Sequence, residues 1–422
     1  MNYLQKFVKF PKTNTWNLTH IPYIHNINKN PILYPCSCYN PMKTTIKTSV
    51  LADILDIATR FVSRNTTLPI LENVYIKWGI DTLMFRASDM EKYVEIEIPA
   101  DIDLEGTLTV NARKLSEYVK TIEDEEVKLQ IDTSKNTLSI KTSNDNIKLN
   151  GIAGSEYLWL PVVTWTRQLI VDASQIVTGI SKVEFAVTEK NFSPVLTGVL
   201  IKLKTYSDSK RQLIFVGTDS FRLAEYKIPY SGNEEDLTVI VPKSNVNEIK
   251  KVLEYYQARG GVSATITVGD NLVAFDGKID GMTIKTVSLL IQWAFPDYEN
   301  ENIMPTIFNT TVTVSKWSLE KAIKKINILT RDTNNFISLD IQWDSINIES
   351  WEMDAGEANT ILQSVTNGEW YKIGLNGRYV TDIMRYTSSS NINFGIVASD
   401  KPIMFTDPDD NQYRYIIRPI SK

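Results

Sequence analysis

Apolar and polar residues alternate in short runs along most of this chain, and at six places the period lengthens to that of a helix. Strand-like runs end at Ile46, Val171 and Val314, and five residues later Leu51, Ile176 and Leu319 each begin a helical apolar stripe. In the last of these, Leu319, Ala322, Ile323 and Ile326 share one face, with Lys321, Lys324 and Lys325 opposite. The pattern predicts helices near Ser49–Val62, Asn111–Ile122, Asp172–Val187, Pro242–Gln257, Ser315–Thr330 and Asn376–Thr387. Asp172 and Gln175 are spaced like a capping box, and Pro242 suits a first helical turn. Strands are predicted at Asn73–Trp78, Thr82–Ala87, Val94–Ile98, Val199–Lys204, Leu213–Gly217, Phe336–Trp343 and Tyr413–Arg418.

The pattern repeats. A strand, a cap and a helix fill Leu108–Val119, return at Val239–Lys250 and return again at Ile373–Met384, with Asn111, Pro242 and Asn376 in the cap position. Three copies of one α+β domain follow, each with two helices among many strands. The expected domains are 42–163, 164–303 and 304–422, with junctions at Leu160–Arg167 and Glu299–Thr306. Residues 1–41 lie outside the repeat and read as an irregular, dispensable extension. They hold Cys36, Cys38, His20 and His25, but these are too closely paired for a standard zinc spacing, so no metal site is expected.

Composition narrows the class. The 422 residues are 43% hydrophobic and 10% aromatic, enough for real cores. No apolar run approaches a membrane span, nothing resembles a signal or transit peptide, and two cysteines make no disulfide framework. A cytoplasmic protein is expected. The net charge of −5 argues against a surface that is basic throughout, but the charge is uneven. The second, fourth, fifth and sixth predicted helices each carry a positive excess, with Lys316, Lys321, Lys324 and Lys325 against Glu320 in the fifth. Concentrated in equivalent elements, this suggests a shared basic surface on an acidic body.

Catalytic chemistry is scarce. Beyond His25 and Cys38 there is no further histidine or cysteine, which removes His-based triads and Cys nucleophiles from the repeated body. The acidic runs Glu123–Glu126 and Asp407–Asp410 read as solvated turns. The distinctive segments are Thr67-Leu-Pro-Ile-Leu71, Thr218-Asp-Ser-Phe-Arg-Leu-Ala224, Phe295-Pro-Asp-Tyr298 and the terminal Tyr413–Lys422.

In order and spacing these segments resemble the bacterial DNA polymerase III beta subunit, the sliding-clamp family, from Met42 to the C-terminus. The resemblance implies a DNA-clamp fold that dimerises head to tail into a ring around duplex DNA, without catalysis or cofactor. The DNA-contacting residues it implies are Arg113, Lys243 and, one place off, Arg64. Charge adds Lys250, Lys251, Lys321, Lys324 and Lys325. The implied dimer contact sets Ile147 and Leu149 against Ile328 and Leu329. The implied docking cleft lies between the second and third domains, rimmed by arginine. It takes short linear motifs of the replicative polymerase, clamp loader and repair proteins. Its matching positions are Leu196, Thr218, Arg222, Leu223, Pro296, Ile303, Ile416, Pro419 and Ile420.

Four features depart from the family pattern: Phe221, Arg418, the acidic Glu299–Asn302, and Tyr157-Leu-Trp-Leu-Pro161 at the first junction. Thr218–Ala224 and Pro419-Ile420 have no counterparts at that junction, so one cleft per protomer is expected. Two other classes compete with a clamp. One is a β-rich interaction module that never encircles DNA, and the other is a metal-dependent hydrolase built on Asp and Glu.

Overall fold

A computed structural model describes residues 42–420 except 65, 103, 161–162, 189–192, 331–334 and 353–355, together with the side chains of 42, 351 and 352. The extension with its cysteines and histidines, and Pro161, lie outside the described residues.

One order of elements recurs three times. The first repeat runs β1 (Met42–Lys47), α1 (Thr48–Ala58), β2 (Asn73–Trp78), β3 (Thr82–Ser88), β4 (Lys92–Pro99), β5 (Gly106–Asn111), α2 (Ala112–Val119), β6 (Glu126–Asp132), β7 (Thr137–Lys141) and β8 (Asn146–Ala153). The second runs β9 (Trp165–Asp172), α3 (Ala173–Val183), β10 (Gly198–Thr205), β11 (Arg211–Thr218), β12 (Arg222–Pro229), β13 (Leu237–Pro242), α4 (Lys243–Ala258), β14 (Ser263–Gly269), β15 (Leu272–Ile279) and β16 (Met282–Leu289). The third runs β17 (Thr310–Ser315), α5 (Lys316–Ile326), β18 (Phe336–Ile341), β19 (Ser345–Glu352), β20 (Gly356–Gly368), β21 (Tyr371–Asn376), α6 (Gly377–Met384), β22 (Asn391–Ile396), β23 (Ile403–Asp407) and β24 (Asp410–Ile417).

The six helices stand where the pattern placed them, but each begins one residue early or late and most end sooner. Beyond α1, α2, α5 and α6 the chain continues with tighter bonds to the third residue back, as from Phe61 to Ala58 and Leu329 to Ile326. The apolar period therefore outlasts the α-helix. Asn111 caps α2 by accepting from the Lys114 amide, and Asn376 caps α6 by accepting from Arg378 and Tyr379. Asp172 caps α3 through the amide and hydroxyl of Ser174, with the Gln175 amide also supporting its carboxylate. Pro242 stands before α4 with no side-chain cap, since it has nothing to accept with.

The strands pair antiparallel throughout and form two twelve-stranded sheets that run from one repeat into the next. Strand β4 of the first repeat pairs with β16 of the second, and β12 of the second with β24 of the third. Each repeat therefore lends an edge strand to the sheet of its neighbour. Within each repeat the helices lie on the sheets and bury their apolar stripes, as Leu319, Ala322, Ile323 and Ile326 do in α5. No helix of the described residues is long and apolar enough to cross a membrane.

Candidate functional site

The β12–β24 joint carries a cavity of about 400 Å³. Leu196, Leu223, Phe295, Pro296, Ile303 and Ile416 supply an apolar lining, with Thr218, Phe221, Arg222 and Arg418 around it. The cavity gathers seven of the nine residues expected there. Pro419 and Ile420 are not among its lining residues, and Ile420 instead donates its amide to the Gly374 carbonyl at 2.9 Å. The chain contributes Phe295, Tyr298, Asn302, Asp400, Lys401 and Pro402 besides. Of these, Phe295 and Tyr298 belong to a motif already singled out, whereas no sequence signal pointed to the Asp400–Pro402 turn.

The turn from β11 to β12 shapes this cavity. Asp219 accepts from the amides of Phe221 and Arg222, and Ser220 takes a positive φ of 77°. That backbone turns Phe221 outward, 58% exposed at the mouth. Arg222 lines the cavity as expected, and it is also tied down on its far side. Its guanidinium bonds Asp219 at 2.9 Å, Asp382 of α6 and the Phe185 carbonyl at 2.8 Å, and it lies over the Tyr379 ring. It fastens the second repeat to the third, and Arg418, exposed and without a side-chain partner among the described residues, is the free guanidinium at the mouth. Behind the cavity, Arg414 grips the buried Glu225, which also accepts from the Tyr298 hydroxyl at 3.1 Å. Burial raises the Tyr298 hydroxyl, and the neighbouring Glu225 carboxylate adds to the rise. The acidic stretch is also accounted for: Glu299 bridges Lys202 at 3.2 Å and Lys204 at 2.6 Å. Burial would raise its carboxyl, but the two lysines prevail and hold it below the usual range.

The turn does have a counterpart at the first junction, which corrects the sequence reading. Asp89 accepts from the amides of Glu91 and Lys92, Met90 has a φ of 76°, and Lys92 pairs with Asp89 as Arg222 does with Asp219. The difference lies in what fills the space. Trp159 packs edge-on against Tyr93 and beneath the Arg86 guanidinium, and Tyr157 stacks on Tyr75. The Tyr157–Leu160 segment therefore closes the first junction where the second stays open.

The expected DNA-contacting residues fall into groups. Arg64, Lys250 and Lys251 line one groove of about 550 Å³ at the first junction, with Arg60 and Lys92, which the sequence reading missed, and with Asp89, Glu184 and Glu248. Lys250 is paired with Glu184, and Lys251 with Glu248 at 3.0 Å. Arg113 donates to the Ser63 carbonyl at 3.4 Å, and Lys243 to that of Val187 at 3.1 Å. On α5, Lys321, Lys324 and Lys325 are exposed, Lys321 over the Trp317 ring and Lys324 paired with Glu320. Ile147 and Leu149 lie half-buried on β8, and Ile328 is 65% exposed just past α5 beside the half-buried Leu329. No group of three or more metal-ligating side chains occurs among the described residues.

Models of the DNA polymerase III beta subunit match the chain in three stretches: the N-terminal domain at residues 42–161, the central domain at 171–297 and the C-terminal domain at 301–421. The beta sliding clamp of Caulobacter vibrioides is 24% identical over 381 residues, covering 90% of this chain and all of the relative. That of Bacillus subtilis is 25% identical over 391 residues, covering 90% and 99%. The crystal structure of the DNA polymerase III beta subunit from Thermotoga maritima superposes with a TM-score of 0.80 at 23% identity, covering 90% of this chain and all of that one. A Pseudomonas aeruginosa sliding clamp bound to griselimycin superposes with a TM-score of 0.81 at 22% identity and the same coverage.

Proposed function

We infer the role of this chain from one premise: it belongs to the DNA polymerase III beta subunit family and is a sliding clamp, a non-catalytic processivity factor for DNA polymerase. We propose that two copies close head to tail into a ring around duplex DNA in the cytoplasm. The observation that carries the ring is a pair of open edges. Strands β4, β12 and β20 are equivalents, as are β8, β16 and β24. Two of the three possible joints, β4–β16 and β12–β24, are made within the chain. The third would join β20 to β8. Among the described residues, 356–363 of β20 pair only with β19 and 146–150 of β8 only with β7, so each keeps one free edge there. A second copy satisfies both edges, and satisfying both in turn gives a two-fold ring of six domains.

In that ring Ile147 and Leu149 of one copy meet Ile328 and Leu329 of the other. Replacing Ile328 and Leu329 together by Glu should leave a monomer in sedimentation velocity; an unchanged dimer contradicts the contact. Arg64, Arg113, Lys243, Lys250, Lys251, Lys321, Lys324 and Lys325 supply a phosphate-facing surface that reads no bases. Because several are tied to carboxylates or carbonyls, the surface is only mildly attractive, which suits sliding, and retention comes from topology.

The cavity at the β12–β24 joint is proposed as the docking cleft for short apolar motifs of polymerase, clamp loader and repair proteins. A P. aeruginosa relative is bound to griselimycin, and the apolar lining here suits burial of two or three apolar side chains. Losing one such contact costs about 1.5–3 kcal/mol, or about tenfold or more in affinity. Leu223→Glu should therefore weaken a labelled motif peptide at least that much in fluorescence anisotropy. Equal affinity would place the motif elsewhere.

A further inference from the structure

The three repeats keep a common register, and it can be carried across the joint that a single chain leaves open. Asn73, Gly198 and Phe336 pair with the cap residues Asn111, Pro242 and Asn376. Two residues on, Tyr75, Leu200 and Ser338 face Arg86, Val216 and Glu349. Those face Glu95, Glu225 and Asn359. On the other side, Ile46, Val171 and Val314 face Val127, Ala264 and Ile392. Their successors Lys128, Thr265 and Asn393 face Lys141, Asp276 and Thr406, which face Asn146, Lys285 and Arg414.

The two closed joints agree with this independent counting. Lys285 faces Glu95, and Arg414 faces Glu225. At the open joint the same position brings Asn359 opposite Asn146, and the acid–base pair is gone. One step along come Ala358 and Ile147, and the next step brings Glu357 opposite Lys148. The closed joints place Tyr93 with Val287 and Leu223 with Ile416 at that step, all of them buried. Glu357 and Lys148 are exposed, and neither has a side-chain partner among the described residues.

We propose that β20 of one copy pairs antiparallel with β8 of the other in this register, locked by Glu357 against Lys148. The inference rests on the ring reading above and fixes how that ring closes. It also explains an asymmetry in the ring. Where a within-chain joint buries an apolar pair, which at the second joint floors the docking cleft, the subunit joint carries an ion pair. No third cleft forms there, and the closure of this joint weakens with salt.

The test is a charge swap in the full chain, read as the dimer dissociation constant by analytical ultracentrifugation. Directly opposed cross-strand charges are worth up to about 1 kcal/mol and like charges cost similarly. With two joints per ring, Lys148→Glu or Glu357→Lys alone should raise the constant by roughly tenfold or more. The double variant should return it to within about threefold of wild type, which also shows that the substituted chain folds. Single variants equal to wild type, or a double variant worse than either, would overturn the register while leaving the dimer standing. A wild-type chain that stays monomeric would overturn the ring itself, and the register with it.

Discussion

Arg222 shows how one residue can match a motif and do further work besides. Its position in Thr218–Ala224 suggested a cleft residue, and it lines the cavity, but its partners Asp382 and Tyr379 lie far along the chain and only the fold brings them near. No local pattern reveals such a partner. Removing one side of a buried, hydrogen-bonded ion pair costs about 3–5 kcal/mol; this pair keeps 12% and 14% of its side chains exposed, so Arg222→Leu should lower the unfolding free energy read from urea titration by up to that much. A loss of peptide binding with unchanged stability would contradict the fastening role. Asp276 offers a second check. Burial lifts its carboxyl to about 6, against Lys285, which lowers it, and with Glu95, which raises it. The folded chain thus holds this proton more tightly than the unfolded one, whose carboxyl keeps an ordinary value near 3.8. The stability so gained is lost as pH rises from about 4 through about 6. Asp276→Asn should therefore raise Tm at pH 8 and leave it nearly unchanged at pH 4. The same shift at both values would show that the aspartate is not strained by its charge.

Among elements, the helices and their caps were legible because a cap and an apolar stripe are local, as at Asn111 with Leu115 and Val119. The turn at Asp89 was not. It shares with Asp219 the aspartate, a hydroxyl residue before it and a basic residue three places on, while Met90, Glu91 and Tyr93 replace Ser220, Phe221 and Leu223. What recurs is a backbone conformation, with the Asx bonds and a positive φ, and side-chain type hides it. The filling of that junction by Trp159 was likewise invisible, although the departure at Tyr157–Pro161 marked the place. Trp159→Ala should cost about 2 kcal/mol, less than for a fully buried tryptophan because Trp159 is only partly covered. Thermal unfolding checks this, and a variant as stable as wild type would show that the ring fills no space. The docking cleft should then remain single, since Phe295 and Pro296 leave open the space that Trp159 closes at the first junction.

For the whole molecule, threefold repetition was readable from cap spacing alone, but the joints between repeats were not. They depend on which strand edges remain free, and edges exist only once the sheets are built. The built sheets leave β20 and β8 each with an open edge, and equivalence with the two closed joints turns those edges into a ring. In the proposed ring the basic residues on its helices would face phosphates, with the charges of Lys250, Lys251 and Lys324 already answered by Glu184, Glu248 and Glu320. Such a surface holds DNA weakly, so the protein should stay on DNA only while it cannot slide off an end. The most direct measurement loads the protein onto closed circular DNA, separates the complex by gel filtration at moderate salt, and then cuts the circle once. Encirclement predicts that protein remains with the circle and leaves after the cut. Equal retention on circular and linear DNA would contradict it.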